Sequence, residues 1–216
     1  MNESSASSPE RIDALLALAP VIPVIAIDDL AQAVPLARTL VEAGLPVLEI
    51  TLRTPVALAA IEAIAREVPE AEVGAGTVLA PAQFTEVERA GGRFAISPGA
   101  TDELLAAGRE ARIGFLPGIA TASELMRGIT HGYRRFKFFP AAASGGTAAL
   151  KGFAGPFAEV RFCPTGGIDA ASAPAYLALP NVACVGGSWM LPTDALKAGD
   201  WARIGQLARE AAALGR

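Results

Sequence analysis

Eight short apolar runs, each followed by a polar, alanine-rich segment, constrain the fold of this chain more than any other feature. The runs begin at residues 21, 47, 72, 94, 114, 135, 160 and 182. Strand-like runs that alternate with helical segments are typical of α/β proteins with parallel strands, and eight such units predict a closed (β/α)8 TIM barrel. An extra N-terminal helix over residues 9 to 18, opened by Ser8 and Pro9, is expected before the first strand.

The helix boundaries support this division. Thr54 followed by Pro55 predicts an N-cap and a first-turn proline, and residues 121 to 124, T-A-S-E, predict a capping box. The segment from Asp194 to Leu214 is expected to form the last helix. A doubly wound open sheet is the alternative architecture, but no G-x-G-x-x-G motif follows the first run.

The composition indicates one large buried core and a small-molecule function. The chain has 216 residues, 52% of them hydrophobic and 19% charged, which favours strands covered on both faces. We predict one barrel domain over residues 9 to 216 after a flexible tail of residues 1 to 8, which lacks the apolar stretch of a signal peptide. A formal charge of −4 and no basic cluster argue against nucleic-acid and membrane partners. A cytoplasmic location is therefore expected.

Cysteine and histidine usage gives no support for disulfide or metal chemistry. Cys163 and Cys184 lie in separate apolar runs and are expected to be buried, reduced thiols. His131, the single histidine, lies near the end of a predicted helix, where it suits neither a histidine metal site nor a Ser-His-Asp arrangement. We expect no metal and no cofactor, although a magnesium site built from carboxylates alone stays open.

Three polar side chains occupy one face of the second run, V-L-E-I-T-L-R. The period of two places Glu49, Thr51 and Arg53 on that face and apolar residues on the other. Because the apolar face must pack against helices, the polar face points into the barrel, where an ionised group is costly unless it is paired or functional. A structural Glu49–Arg53 ion pair is one reading, and a role at the barrel mouth is the other.

Lys137 is the one lysine, of three in the chain, that lies inside an apolar run, R-F-K-F-F-P. The alternation predicts that Arg135, Lys137 and Phe139 face the barrel interior. Aromatic surface and nearby arginines would favour the neutral amine, which is the form that attacks a ketone. The pattern predicts Schiff-base catalysis by Lys137, while a lysine that reaches the rim or only pairs with Glu49 is the alternative.

Glycine pairs follow the last two runs, in P-T-G-G-I-D at residues 164 to 169 and G-G-S-W at residues 186 to 189. Barrels commonly hold phosphate in these two loops. Glycines allow backbone N–H groups to approach an anion, and a helix that starts near Asp169 would direct its N-terminus towards it. One Gly-Gly pair is more often only a turn, but two pairs at these positions favour a phosphate site.

Six motifs, in order along the chain, together resemble one protein family. They are V-L-E-I-T-L-R-T-P, V-G-A-G-T-V-L, F-A-I-S-P-G, R-F-K-F-F-P-A, R-F-C-P-T-G-G-I and V-G-G-S-W. They closely resemble the family of 2-keto-3-deoxy-6-phosphogluconate (KDPG) aldolase, also described as 4-hydroxy-2-oxoglutarate (KHG) aldolase. The likeness runs from about Val21 to the C-terminal helix and is weakest in the loop at residues 141 to 147.

The resemblance implies a class I aldolase that cleaves KDPG to pyruvate and glyceraldehyde 3-phosphate in the Entner–Doudoroff pathway, and it leaves open a second cleavage, of KHG to pyruvate and glyoxylate. It further implies a homotrimer. Lys137 would be the Schiff-base lysine and Glu49 the general acid/base. The implied substrate-binding residues are Arg53 and Thr77 for the pyruvate carboxylate, Phe139 beside the lysine, Thr165 at the aldehyde end, and Gly166, Gly167, Gly187 and Ser188 for the phosphate.

Two other functions fit parts of the pattern. A phosphosugar isomerase could use Glu49 as its base and the same phosphate loops, but it would leave Lys137 without a task. A non-catalytic barrel that binds phosphorylated metabolites would keep a buried lysine, glutamate and arginine at considerable cost.

Overall fold

The computed structural model describes residues 8–215. Its helices are α1 Ser8–Ala17, α2 Ala33–Glu42, α3 Ala57–Glu67, α4 Ala82–Arg89, α5 Asp102–Glu110, α6 Ala122–Thr130, α7 Gly146–Ala154, α8 Ala173–Leu177, α9 Thr193–Ala198 and α10 Trp201–Ala212. The extra N-terminal helix is confirmed as α1. The tail predicted for residues 1 to 8 lies outside the described residues, apart from Ser8 itself, where α1 begins.

The strands are β1 Val21–Ile25, β2 Val47–Thr51, β3 Glu72–Gly76, β4 Phe94–Ile96, β5 Gly114–Leu116, β6 Gly118–Ile119, β7 Arg135–Phe138, β8 Arg161–Pro164 and β9 Val185–Gly187. They form a six-stranded sheet in the order β5-β4-β3-β2-β1-β9 and a three-stranded sheet in the order β6-β7-β8. Every strand pair is parallel. The α/β class and the eight predicted runs are thereby confirmed.

The fifth predicted run forms two strands because Pro117 interrupts it. Proline has no N–H to donate to a neighbouring strand, so β5 ends before it and β6 begins after it. The Pro117 carbonyl still accepts a hydrogen bond of 2.9 Å from the Lys137 N–H. At the other edge of the three-stranded sheet, isolated bridges join Phe162 to Val182 and Thr165 to Gly186. The two sheets are therefore connected through Pro117 at one edge and through these two bridges at the other.

Two layers of apolar side chains cover the strands. One layer packs between strands and outer helices and includes Leu48 and Ile50. The other fills the inner face with one residue or more from most strands, and Ile12, Leu15 and Leu16 of α1 pack into it. Since α1 contacts Gly114 and pairs through Asp13 with Arg135, the first residues of β5 and β7, it covers the amino ends of these strands.

Several helix boundaries differ from the prediction. The N-cap predicted at Thr54 is wrong, because its hydroxyl donates to the Ile27 carbonyl at 2.6 Å and α3 begins only at Ala57. The predicted last helix is two helices, since Gly199 adopts a left-handed conformation and Asp200 caps α10. The capping box at residues 121 to 124 is confirmed.

The predictions for the two cysteines and for His131 agree with the structure. Cys163 and Cys184 are buried and are not joined to each other by a disulfide, and His131 is the C-cap residue of α6. Within residues 8–215, no helix is both long and apolar enough to cross a membrane. In the same part of the chain, no group of three or more His, Cys, Asp or Glu side chains is placed to hold a metal ion.

Candidate active site at the carboxyl ends of the strands

The residues singled out from the sequence lie at one edge of the sheets. Because all strands run parallel, their carboxyl ends lie on the same side. β2 ends at Thr51, β3 at Gly76, β7 at Phe138, β8 at Pro164 and β9 at Gly187. The segments directly after these ends carry the other predicted binding residues, namely Arg53, Thr77, Phe139, Thr165, Gly166, Gly167 and Ser188.

A buried contact between Glu49 and Lys137 forms the centre of this region. The Lys137 Nζ donates to the Glu49 Oε1 at 2.8 Å; Lys137 is 5% exposed and Glu49 is 2% exposed. Glu49 lies in β2 between β1 and β3, whereas Lys137 lies in β7 between β6 and β8, so the contact crosses the interior rather than joining neighbouring strands. Both side chains therefore point inward, as the alternation predicts.

This contact decides between the two ion pairs considered from the sequence. Glu49 pairs with Lys137, not with Arg53. The guanidinium of Arg53 is exposed and forms no ion pair or hydrogen bond within the described part of the chain, although the Arg53 N–H donates to the Thr51 carbonyl at 2.8 Å. Arg53 is therefore a cation at the rim that an anionic ligand can reach.

The surroundings of Lys137 are partly those expected. Its Nζ lies 5.3 Å from the centre of the Phe139 ring, which supplies the predicted aromatic surface. Arg135, by contrast, forms a two-pronged ion pair with Asp13 of α1. The charge in direct contact with the amine is therefore a carboxylate, which can accept the ammonium proton and release the neutral amine for attack on a carbonyl.

Thr77 follows β3 in an unusual backbone conformation. Its φ of 60° makes it the only non-glycine residue with positive φ among residues 8–215. A β-branched residue rarely adopts this left-handed conformation, because its side chain crowds the backbone. Such strain persists only where the surrounding structure enforces it, and it is concentrated at functional sites. Thr77 is half-buried at the same edge as Arg53.

The loop after β8 contains two consecutive glycines in left-handed backbone conformations. Gly166 and Gly167 have φ values of 98° and 72°, which favour glycine at both positions. A side chain on Gly166 would lie 3.2 Å from the Phe139 ring, so this loop adjoins the aromatic residue beside Lys137. Thr165, 5% exposed, forms a bridge with Gly186 and thereby joins this loop to β9. The next residues are Gly187, buried, and Ser188, exposed.

The helix expected near Asp169 begins later, at Ala173, and has only five residues. The side chain of Asp169 accepts hydrogen bonds from the hydroxyl and the N–H of Ser172 instead, and these bonds lower the pKa of the Asp169 carboxyl. A helix N-terminus therefore does not contribute to the predicted phosphate site after β8, where only the backbone N–H groups of the glycines are left to bind an anion.

Sequence reasoning missed two residues close to the central pair. Ser97 is fully buried, and its hydroxyl accepts a hydrogen bond of 3.2 Å from the N–H of Gly118, which is the register partner of Lys137. A side chain on Gly76 would meet the carboxylate of Glu49. The spacing of Gly74 and Gly76, two residues apart in V-G-A-G-T, was the available signal, because period two puts both glycines on the inward face.

Comparison with known proteins gives one consistent family. Residues 12–207 match the family model described as KDPG and KHG aldolase. The chain is 58% identical over 199 residues to the KHG/KDPG aldolase of Escherichia coli K12, covering 92% of this chain and 93% of that protein. It is 52% identical over 201 residues to the 2-dehydro-3-deoxy-phosphogluconate aldolase of Pseudomonas aeruginosa, covering 93% and 91%.

Solved structures agree. The KDPG aldolase of Legionella pneumophila, with pyruvate captured at low pH as a covalent carbinolamine intermediate, has a TM-score of 0.91 at 52% identity and covers 93% of this chain and 98% of that one. The KDPG aldolase of Zymomonas mobilis ZM4, with 3-phosphoglycerate, also has a TM-score of 0.91, at 50% identity, and covers 96% and 98%.

Proposed function

This chain belongs to the KDPG and KHG aldolase family, and we propose that it is a class I aldolase that cleaves KDPG to pyruvate and glyceraldehyde 3-phosphate. The observation that carries the proposal is the buried contact of 2.8 Å between Lys137 and Glu49. It places an amine nucleophile beside a group that can move protons, which is the requirement for Schiff-base catalysis. The name of the Escherichia coli relative, KHG/KDPG aldolase, supports KHG as a second substrate, cleaved to pyruvate and glyoxylate.

The first half of the reaction joins the substrate to Lys137. Glu49 accepts a proton from the ammonium group, and the neutral amine attacks the C2 ketone, so that a C–N bond forms and the carbonyl oxygen becomes a hydroxyl. Glu49 then gives this proton to the carbinolamine hydroxyl, which leaves as water, so that a protonated imine forms and the carboxylate of Glu49 is regenerated. The carbinolamine captured in the Legionella pneumophila relative supports this route.

The second half breaks the C3–C4 bond. Glu49 accepts the proton of the C4 hydroxyl, the bond electrons move into the iminium, and the aldehyde phosphate departs. The remaining enamine takes a proton at C3, and water then hydrolyses the imine to release pyruvate and regenerate the amine of Lys137. The iminium is the electron sink for cleavage of the C3–C4 bond, so the mechanism requires neither a metal ion nor a cofactor for that step.

The other predicted residues bind and orient the substrate. Arg53, exposed at the rim, offers a planar donor pair for the carboxylate, with Thr77 beside it. Phe139 covers the reacting amine, and Thr165 lies towards the aldehyde end. The phosphate is held by the backbone of Gly166, Gly167 and Gly187 and by the Ser188 hydroxyl. The 3-phosphoglycerate in the Zymomonas mobilis relative supports a site for a phosphorylated three-carbon acid in this family.

The proposed architecture is a single closed (β/α)8 barrel domain over residues 9 to 216. It is supported by the continuity of β5 and β6 through Pro117 and by the two bridges between β8 and the β9 segment. Homotrimeric assembly, which rests on the family resemblance, and a cytoplasmic location belong to the same proposal.

Reduction with borohydride in the presence of pyruvate tests the proposal. It should fix the imine as a stable adduct, and mass spectrometry of peptides should locate the adduct on Lys137. Lys151 and Lys197, both outside strands, serve as internal controls, and Lys151→Arg is expected to retain labelling that Lys137→Arg abolishes. Labelling on another lysine, or none, contradicts the aldolase mechanism, and turnover of a phosphosugar without any adduct would favour the isomerase.

A further inference from the structure

Gly76, the last residue of β3, lies directly against the carboxylate of Glu49. A Cβ atom built on Gly76 would lie 2.2 Å from Oε1 of Glu49, 2.7 Å from its Cγ and 2.8 Å from its Cδ. These three atoms are the nearest neighbours of that Cβ, and all belong to the same side chain. Real side chains do not approach this closely, so the carboxylate occupies the volume that any other residue at position 76 would take.

The backbone around Gly76 cannot move aside to admit a side chain. Thr51 is its register partner in β2, and the Leu52 N–H donates to the Gly76 carbonyl at 2.9 Å. Two residues earlier, Gly74 pairs with Glu49 itself, and a Cβ there would lie 2.4 Å from the Phe94 carbonyl oxygen. Since β3 is held between β2 and β4, an added methyl group has to displace the Glu49 side chain instead.

We propose that Gly76 is a positioning residue for the general acid/base: its missing side chain fixes the place of the Glu49 carboxylate, and so keeps Oε1 within reach of Lys137 and of the substrate C4 hydroxyl. The inference rests on the proposed function of this site. Gly76 touches no reacting atom and acts through Glu49 alone. The strained Thr77 follows it directly in the chain.

Gly76→Ala tests the inference, with Gly152→Ala as the matched control. Position 152 lies in α7 with no atom within 4 Å of an added Cβ, so the same chemical change there should leave cleavage and stability nearly unaltered. Displacement of a catalytic group by about 1 Å costs on the order of 10² in rate. Gly76→Ala should therefore lower kcat for KDPG cleavage about 100-fold, with KM changing less than about threefold, because the binding residues are untouched.

A double-mutant cycle distinguishes positioning from a general structural defect. Glu49→Gln keeps the shape of the side chain but removes its proton-transfer chemistry. If Gly76 acts through the carboxylate, Gly76→Ala should cost less than about threefold more in the Glu49→Gln background. The same 100-fold loss in both backgrounds, or no loss in the wild-type background, overturns the inference.

A third variant covers the case in which Gly76→Ala does not fold. Glu49→Ala/Gly76→Ala removes the three atoms that the new methyl group would meet, so its melting temperature should return to that of Glu49→Ala alone. If it does not, the steric conflict lies elsewhere and the inference is overturned. The two proposals fail separately: absence of a pyruvate adduct on Lys137 in the wild type overturns both, whereas a normal adduct with additive losses overturns only the assignment of Gly76.

Discussion

Truncation of Leu16 tests whether α1 is an integral part of the core. Leu16 is 2% exposed and packs into the inner apolar layer with Ile22, Phe94 and Leu116. Leu→Ala at a buried site of this kind costs about 2.7–5 kcal/mol, because transfer energy is lost and a cavity remains. For a domain of this size, each kcal/mol lowers the melting temperature by about 2–4 °C. We therefore expect Leu16→Ala to melt about 5–20 °C below the wild type.

Leu18→Ala is the matched control. The same truncation one residue beyond α1 removes a side chain that is 51% exposed, so its cost should stay below about 1 kcal/mol. Urea unfolding followed by circular dichroism measures both free energies of unfolding. Because α1 covers the amino ends of the strands, kcat of folded Leu16→Ala should stay near the wild-type value. Equal losses for the two variants, or a cost below about 1 kcal/mol for Leu16→Ala, would show that α1 only rests on the surface.

Three further outcomes are expected. Aldolase activity should survive exhaustive chelation with EDTA, since the iminium does the work of a metal; loss that a divalent cation restores would contradict this. Gly167→Val should lower kcat/KM much more for KDPG than for KHG, which has no phosphate, and an equal fall in a folded variant would refute the phosphate assignment. Partial burial raises the pKa of Glu124, but backbone hydrogen bonds from Ala120 and Thr121 outweigh it, so the pKa is lowered overall. Glu124 therefore stabilises the fold above its unfolded pKa of about 4.3, and the melting-temperature deficit of Glu124→Gln should shrink as the pH falls from 7 to about 3.

The strands and the central pair were predictable because both follow from period-two patterning. Lys137 lies inside an apolar run, and Glu49 alternates with apolar residues in another. Each side chain therefore has few possible orientations. The sequence left the partner of Glu49 open between Arg53 and Lys137, and the structure shows that it is Lys137, although Arg53 is only four residues away. Strand curvature and the distance between the two sheets decide that contact, and neither can be predicted from the local sequence.

The errors at helix ends have a common cause. The sequence predicts Thr54 as an N-cap, but its hydroxyl donates a hydrogen bond to the Ile27 carbonyl. This tertiary hydrogen bond replaces the capping hydrogen bond within the helix. Gly199 divides the last helix, and the sequence alone does not distinguish a tolerated helical glycine from a break. Gly76 was missed for another reason. A glycine has no functional group, and its role can be recognised only once the neighbouring carboxylate of Glu49 has been located.

The contact between Glu49 and Lys137 joins residues 88 positions apart in the chain, on strands that lie in different sheets. A partly synthesised chain contains Glu49 before Lys137 has been added. A partly folded chain can contain both residues without the 2.8 Å contact between them. In such a chain no carboxylate is held within hydrogen-bonding distance of the Lys137 amine. Under the proposed mechanism, attack by this lysine therefore requires the assembled sheets, and the rate at which pyruvate adducts appear during refolding should report on the moment when β2 and β7 come together.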